Sequence, residues 1–149
     1  MKRITRSLAA CAVALGALTG TLPAHAAPSA DPVRCGGIGE TAALRLDGRT
    51  ARGAVTLPAG RSSEFALDFR PARSHGATQL HVRARGAFGE VALTRDAAGA
   101  VEAGRTYTVR QRVTPREDLA GSGFALRLHV TGDENTVEAC VELDVRVVG

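Results

Sequence analysis

The side chains best suited to chemistry in this chain are two histidines, His81 and His129, which stand in repeated Leu-His-Val segments. Imidazole titrates near neutral pH and is the commonest metal ligand in proteins. If the two segments lie on neighbouring strands, the rings would approach each other and form part of a metal site or a pH-sensitive patch. A metal site needs enough ligands in a suitable geometry, and neither segment supplies a third ligand. The sequence therefore favours two solvent-exposed histidines, and we expect no metal or other cofactor.

Other residue types that serve catalysis occur without a catalytic pattern. Paired carboxylates are found at Glu117-Asp118 and at Asp133-Glu134, beside proline or asparagine residues that are typical of exposed loops. No serine stands in a Gly-x-Ser-x-Gly elbow, the strained turn that presents the nucleophile of many hydrolases. The sequence therefore predicts a protein that is not an enzyme.

Arginine is the charged residue whose distribution most suggests binding. Five arginines fall on the polar sides of alternating segments: Arg83, Arg85, Arg110, Arg112 and Arg127. If their strands share one sheet, these side chains form a basic patch that would bind an anionic envelope polymer or an acidic protein. Carboxylates fall on the polar positions of other segments: Glu64, Asp68, Glu138, Glu142 and Asp144. Cross-strand ladders of arginine and carboxylate are therefore the favoured outcome.

The elements that must position these side chains are β-strands, because apolar and polar residues alternate with a period of two. Turn signals such as Asp47-Gly48 separate the alternating segments. These segments cover residues 42–46, 54–57, 64–70, 80–85, 91–93, 106–113, 124–130 and 141–147. The pattern predicts an all-β fold, an antiparallel β-sandwich of about seven or eight strands, in which each sheet has one buried and one exposed face.

One segment carries a resemblance to a known fold. The stretch from Val101 to Val109, VEAGRTYTV, resembles the segment that leads into a strand in immunoglobulin-like and fibronectin-III-like sandwiches. The resemblance implies that the Tyr107 hydroxyl bonds back to the backbone and locks the corner. The segment differs from the fibronectin pattern at Ala103, where proline is usual, and the chain has no tryptophan for the core. The resemblance implies a scaffold used for adhesion, inhibition and ligand display, without specifying a function.

The first residues have the pattern of a secretory signal peptide. Lys2, Arg3 and Arg6 form a positive region, residues 8–18 are apolar, and residues 24–26 (Ala-His-Ala) form a small-x-small cleavage site. The apolar run is too short for a stable transmembrane anchor. We therefore expect a secreted, extracellular protein that is at most loosely associated with the cell wall.

This interpretation divides the chain into a signal peptide (1–26), a flexible leader (27–34) and a single β-sandwich domain (35–149). Residues 8–11, Leu-Ala-Ala-Cys, also resemble a lipobox, the motif in which lipoproteins are acylated on cysteine. In lipoproteins the apolar stretch precedes that cysteine, whereas here most of it follows. We therefore expect no lipid anchor at Cys11.

The apparent basicity of the chain belongs largely to the signal peptide. The signal carries three of the 19 basic residues, and the remaining 16, all arginine, nearly balance the 15 acidic residues. A near-neutral domain with no tryptophan and one tyrosine lacks the basic, aromatic surface that nucleic acids need. We therefore expect no nucleic-acid partner. The wealth of arginine, alanine and glycine is typical of GC-rich bacterial genomes.

Two cysteines remain once the signal peptide is removed, Cys35 and Cys140. In an oxidising compartment an isolated pair of thiols is expected to form a disulfide. Neither cysteine lies in a Cys-x-x-Cys motif, so a structural bond is expected rather than a redox-active one. The predicted bond would tie the start of the domain to its last strand.

Together these observations predict a secreted binding module whose partner is an unidentified protein or envelope polymer. Because binding residues concentrate on loops, the contact surface is expected on residues 70–78 or 114–123, or on the arginine-bearing face. Within the second loop the candidate contact residues are Pro115, Arg116 and Glu117. Two alternatives stay open. Small inward-facing residues such as Ala42 would let the sheets part around a lipid, as in a small hydrophobic-ligand carrier. The other alternative is a structural component of the cell envelope or spore coat.

Overall fold

The computed structural model describes residues 31–149, so the predicted signal peptide, Cys11 and the first half of the predicted leader lie outside it, while the last two leader residues belong to the first strand. The described chain forms ten β-strands and two single-turn 3-10 helices, at Glu117–Leu119 and Asp133–Asn135. The strands are β1 (Val33–Gly36), β2 (Glu40–Leu46), β3 (Arg49–Thr50), β4 (Val55–Pro58), β5 (Ser63–Arg70), β6 (His75–Gly86), β7 (Gly89–Val101), β8 (Tyr107–Val113), β9 (Gly123–Thr131) and β10 (Val137–Val148). Within residues 31–149, no helix has the length and hydropathy needed to cross a membrane.

The strands form two sheets that pack as a sandwich. The six-stranded sheet has the order β1-β10-β9-β6-β7, with β4 also paired to β10, and the four-stranded sheet has the order β3-β2-β5-β8. The predicted all-β sandwich is therefore confirmed, and each of the eight alternating segments overlaps a strand. The sequence missed β1 and β3, of four and two residues, because so few residues show no alternation. Pairing is antiparallel except between β4 and β10, which run parallel.

The core lies between the sheets and consists of the inward-facing residues of both. On β6 the residues Leu80, Val82 and Ala84 are buried, as the alternation predicts. Phe65 and Phe69 of β5 face them from the four-stranded sheet and have no exposed surface. Burial of such apolar side chains contributes about 1.5–3 kcal/mol each relative to exposure, and is the main source of stability in a fold of this size.

The predicted tyrosine corner is present. The Tyr107 hydroxyl accepts a hydrogen bond from the Glu102 N–H at 2.8 Å, and its ring lies 6.1 Å from that of Phe69 in the core. Gly104 lies between Glu102 and Tyr107 in the turn and has a φ of +77°, a left-handed conformation that favours glycine. Its N–H donates to the Pro71 carbonyl at 2.9 Å. The corner therefore fixes the start of β8 against the loop before β6.

The predicted disulfide is also confirmed. Cys35 on β1 is bonded to Cys140 on β10, with a Cα–Cα distance of 5.0 Å, and Gly36 pairs with Cys140 in the sheet. The bond joins residues 105 positions apart and attaches the outermost strand of the six-stranded sheet to its neighbour.

Two β-bulges overturn predictions made from alternation. Glu138 was expected on the polar face with Glu142, but the register shifts between Val137 and Ala139, and the Glu138 side chain is fully buried. Ala42 was expected to face inward, but the register shifts beside it, between residues 41 and 43, and Ala42 is exposed. A bulge inserts one residue into a strand, so the side chains beyond it change faces.

Candidate functional site

The two histidines singled out in the sequence meet on the outer face of the six-stranded sheet. Strands β6 and β9 are neighbours, and His81 lies directly opposite His129. The rings are stacked, with centroids 4.6 Å apart and an angle of 3° between their planes. On its other side His81 is opposite Arg95 of β7. The topology therefore places two imidazoles and a guanidinium in one row across three strands.

This row forms the floor of a surface depression of about 570 Å³, which we call the histidine groove. Its lining residues are His81, Arg83, Ala92, Leu93, Thr94, Arg95, His129, Thr131 and Asn135. The Nε2 atom of His81 is 3.0 Å from the Thr131 hydroxyl. The Nδ1 atom of His129 is buried and has no hydrogen-bond partner among the residues that the structure describes. A buried polar atom without a partner is uncommon in folded proteins and calls for a physical explanation.

The charges around the histidine groove are predominantly positive. Arg83 pairs with Glu90 at 2.9 Å, and Arg127 pairs with Glu142 at 2.8 Å. Arg95 donates from Nε to the Gln79 side-chain carbonyl at 2.6 Å. Within residues 31–149, no carboxylate lies within 4.0 Å of the Arg95 guanidinium. The groove is therefore flanked by one arginine whose charge has no neutralising partner close by.

Burial and these arginines hold both imidazoles in the neutral form. Burial is the larger effect on His81, and Arg95 and Arg83 add to it, so the pKa of His81 lies below its ordinary value. Burial, the neighbouring His81, Arg83 and Arg127 lower the pKa of His129 from 6.5 to about 4, with Glu90 opposing them. The electrostatic field that disfavours a proton on these rings also disfavours a metal cation and favours an anion.

The lowered pKa of His129 predicts acid sensitivity of the fold. The unfolded chain binds a proton on this residue below about pH 6.5, whereas the folded chain binds it only near pH 4. Acid therefore favours the unfolded chain, so the full stability of the fold is present above pH 6.5 and part of it is lost as the pH falls toward 4. Between about pH 6.5 and about pH 4, we expect the free energy of unfolding of His129→Gln to fall by about 1–2 kcal/mol less than that of the wild type. The difference is no larger because solvent screens this half-buried ring. Urea unfolding of both proteins at neutral and acidic pH measures this difference. An identical pH dependence in the variant would contradict it.

The five arginines predicted as a single binding patch lie on two different sheets. Arg83, Arg85 and Arg127 are on the six-stranded sheet, whereas Arg110 and Arg112 are on β8, at the edge of the four-stranded sheet. The prediction that the five arginines share one face is therefore wrong, because β8 pairs with β5 and not with β6 or β9.

The predicted ladders of arginine and carboxylate are confirmed on both sheets. On the six-stranded sheet, Glu142 lies between Arg85 and Arg127, at 2.9 and 2.8 Å. On the four-stranded sheet, Glu64 accepts from Arg110 at 2.8 Å and lies 3.7 Å from Arg112. With the Arg83–Glu90 pair, all five predicted arginines are therefore engaged by carboxylates, whereas Arg95 in the histidine groove is not.

The predicted contact loop is packed and internally bonded. Pro115 is buried, and its carbonyl accepts the Gly60 N–H at 2.8 Å. Arg116 makes two hydrogen bonds to Asp118, at 3.1 and 2.8 Å. Glu117 begins a single-turn helix. The Arg116, Glu117 and Asp118 side chains are nevertheless exposed, so these bonds fix the shape of the loop without removing it from the surface.

A buried polar cluster, which we call the Glu138 cluster, was not foreseen. Glu138 accepts hydrogen bonds from His75 Nε2–H at 2.7 Å, from the Ala72 N–H at 2.7 Å and from the Arg73 N–H at 3.3 Å. The other ring nitrogen of His75 accepts the Asp133 N–H at 3.0 Å, so His75 is held as the neutral Nε2–H tautomer. The cluster ties the other predicted contact loop, residues 70–78, to β10, and only residues 71–74 of that stretch lie outside β5 and β6.

Glycine makes room for this cluster. A Cβ atom on Gly132 would approach the His75 ring to 2.4 Å, and one on Gly39 would approach a Glu138 carboxylate oxygen to 2.8 Å. Nothing in the sequence marks these residues as neighbours, because they come from four separate segments. The His75 and Glu138 side chains are closed to solvent, and their hydrogen bonds join β6 and the loop before it to β10.

Comparison with known proteins extends the description of the fold. No family model matches the chain, and no curated protein matches it significantly. A Niemann-Pick type C2 protein from the Japanese carpenter ant is similar in structure, with a TM-score of 0.62 at 7% identity, over 78% of this chain and 98% of that one. The C-terminal domain of wzt is similar with a TM-score of 0.58 at 12% identity, over 84% of each chain.

These likenesses show an immunoglobulin-like β-sandwich. The resemblance that the sequence carries around Tyr107 is confirmed at the level of the fold. At such low identity the likenesses carry no information about the residues of the histidine groove, because a shared fold does not imply a shared function.

Proposed function

We propose that the protein is an extracellular, non-catalytic binding module that contacts a protein or envelope partner through the outer face of the six-stranded sheet beside β7. The observation that carries this proposal is the surface at that edge. Phe88, Val91 and Leu93, on β7 and in the turn before it, are 49%, 45% and 42% exposed, and Leu93 lines the histidine groove together with Arg95. Large apolar side chains exposed together with arginine are typical of interaction surfaces. The Cys35–Cys140 bond is consistent with an extracellular location.

The geometry of β7 indicates how a partner would bind. This strand has 13 residues and pairs only with β6, at the edge of the sheet. Its register shifts at Leu93 and at Ala98, so regular pairing is limited to residues 89–92 and 94–97. Bulges of this kind protect an edge from pairing with another strand. The proposed contact therefore uses the side chains of β7 rather than strand addition along its length.

A lack of catalytic activity is part of the same proposal. The acid–base pair His75 and Glu138 is closed to solvent, with 4% and 0% of the two side chains exposed. The histidine groove, in contrast, presents imidazole and guanidinium groups to solvent. This separation supports recognition at the surface and structural support in the interior.

A pull-down from culture medium and cell-wall extract tests the proposal. We expect the domain to capture a stoichiometric partner, and the double variant Val91→Ser/Leu93→Ser to lose it. The matched control is Ile38→Ser, which removes an equally exposed apolar side chain, 51% exposed, from the loop between β1 and β2. If the double variant captures the partner as well as the wild type does, the surface beside β7 is not the contact.

One observation favours the alternative of a small hydrophobic-ligand carrier. A depression of about 300 Å³ lies where β2 and β3 meet β1 and β10, lined in part by Leu44, Ala51 and Val141. Because these three residues are buried, with Leu44 and Val141 on different sheets, this is the place where a lipid would enter if the sheets parted. Extraction of the purified protein into organic solvent, followed by mass spectrometry, separates the two functions. A stoichiometric lipid would support the carrier, and an empty protein would support the binding module.

A further inference from the structure

We infer that the histidine groove binds an anionic group, a phosphate, sulfate or carboxylate, and binds it more tightly as the pH falls. The anion is either a free ion or a substituent of an extracellular polymer. The site lies on the surface used in the proposed function. It rests on separate residues, however, since it needs the imidazoles and Arg95 rather than the apolar side chains of β7.

Arg95 supplies the permanent charge of this site. Its Nε atom is engaged by Gln79, while the terminal nitrogens have no carboxylate within 4.0 Å in the described part of the chain. The neighbouring carboxylates are already engaged, Glu90 with Arg83 and Glu142 with Arg85 and Arg127. A guanidinium is shaped to donate two parallel hydrogen bonds to an oxyanion. Arg95 is therefore the group expected to hold the anion at neutral pH.

His129 supplies the second, conditional contact. Its ring lines the groove, and its Nδ1 atom is buried beneath that surface without a hydrogen-bond partner among residues 31–149. Once protonated, this nitrogen becomes a charged donor, for which an oxyanion is the complementary acceptor. His81, stacked 4.6 Å away, and the Thr131 hydroxyl lie beside it. An anion in the groove would lie against the His129 ring and stabilise its protonated form.

The pH dependence follows from the charges that face the pair. Arg83 from β6, Arg95 from β7 and Arg127 from β9 all oppose protonation, and Glu90 favours it. On β10, Glu142 is shared by two arginines, and Cys140 does not titrate because it is disulfide-bonded. At the end of the groove, the Asp133 carboxylate accepts the Gly76 N–H at 3.0 Å. A bound anion offsets the arginines, so binding draws a proton onto the imidazoles and strengthens in acid.

Titration followed by NMR of the histidine rings tests this inference. The probes are inorganic phosphate and dextran sulfate, each added to the full domain at constant ionic strength, at about pH 5 and about pH 7.5. We expect the imidazole signals of His81 and His129 to shift with saturation, and the dissociation constant to be about tenfold lower at the acidic pH. Saturation by phosphate would identify a site for a free anion, and saturation by dextran sulfate alone would identify a site for a polymer.

Variants assign the binding to the proposed groups. Arg95→Gln should weaken binding at both pH values, and His129→Gln should leave binding at neutral pH while abolishing its increase in acid. Arg49→Gln, which removes an exposed arginine from β3 on the four-stranded sheet, is the matched control and should change neither. The inference is overturned if neither probe shifts the imidazoles, or if Arg95→Gln binds like the wild type. Val91→Ser, which removes an exposed apolar side chain of β7 outside the groove lining, should still bind the anion, so failure of this site and failure of the proposed function are distinguishable.

Discussion

Replacing Glu138 with leucine should lower the free energy of unfolding by about 3–5 kcal/mol. The substitution keeps the interior filled but removes the acceptor for three donors at once: the His75 ring N–H and the backbone N–H groups of Ala72 and Arg73. The His75 ring is buried, whereas the Ala72 and Arg73 N–H groups belong to the loop before β6 and make partly buried bonds, so the substitution would detach both the ring and the loop from β10. A buried donor without an acceptor costs about 1–3 kcal/mol.

Urea unfolding followed by circular dichroism measures this loss. Glu138→Gln should fall between the wild type and Glu138→Leu, since the amide keeps one acceptor oxygen but turns an N–H₂ group toward the remaining donors. Glu142→Gln is the control, because Glu142 is a partly exposed carboxylate of the same strand whose ion pairs are screened by solvent. If Glu138→Leu and Glu142→Gln destabilise the protein equally, the Glu138 cluster does not anchor the fold.

Removing the disulfide is expected to have a similar effect for a different reason. In the chain-entropy description, a bond between residues 105 positions apart stabilises by about 4–5 kcal/mol, because it restricts the unfolded chain. The variant Cys35→Ser/Cys140→Ser should lose this amount. The loss should also be visible locally, since β1 pairs with β10 alone and is held beside it by the bond.

Two measurements separate these effects. The midpoint of urea unfolding should fall in the double variant, and a thiol reductant should lower the midpoint of the wild type to the same value while leaving the variant unchanged. Hydrogen exchange should accelerate at Arg34 and Gly36 in β1 while the central strand β9 stays protected. A variant that unfolds at the wild-type urea concentration would show that the bond contributes nothing to stability.

The alternation in the sequence predicted the fold because each sheet has one buried and one exposed face. Leu80 and Val82 face the core while His81 and Arg83 face solvent, as a period of two requires. The rule fails where a bulge changes the register, and this is why Glu138 was placed on the wrong face. Bulges are set by pairing between strands, so a single strand read alone does not reveal them.

The candidate site was predicted only in part, because it depends on strand order. The sequence identified His81 and His129, but their contact requires β6 and β9 to be neighbours, which local pattern does not determine. Arg95 was missed for another reason. It lies on β7, where nearly every side chain is exposed, whichever face of the sheet it is on. Most of that strand therefore has no alternation of apolar and polar residues.

Strand β10 connects nearly all of the six-stranded sheet: it pairs with β9 on one side, and with β1 and then β4 on the other. It is also the last of these strands to be synthesised. Until β10 has been synthesised, β1 and β4 have no partner in that sheet, and β9 has one unpaired edge. Contacts so distant in sequence form slowly, because a long loop must close first. The six-stranded sheet is therefore completed only when β10 joins it, so its assembly waits on the contacts that are most distant in sequence.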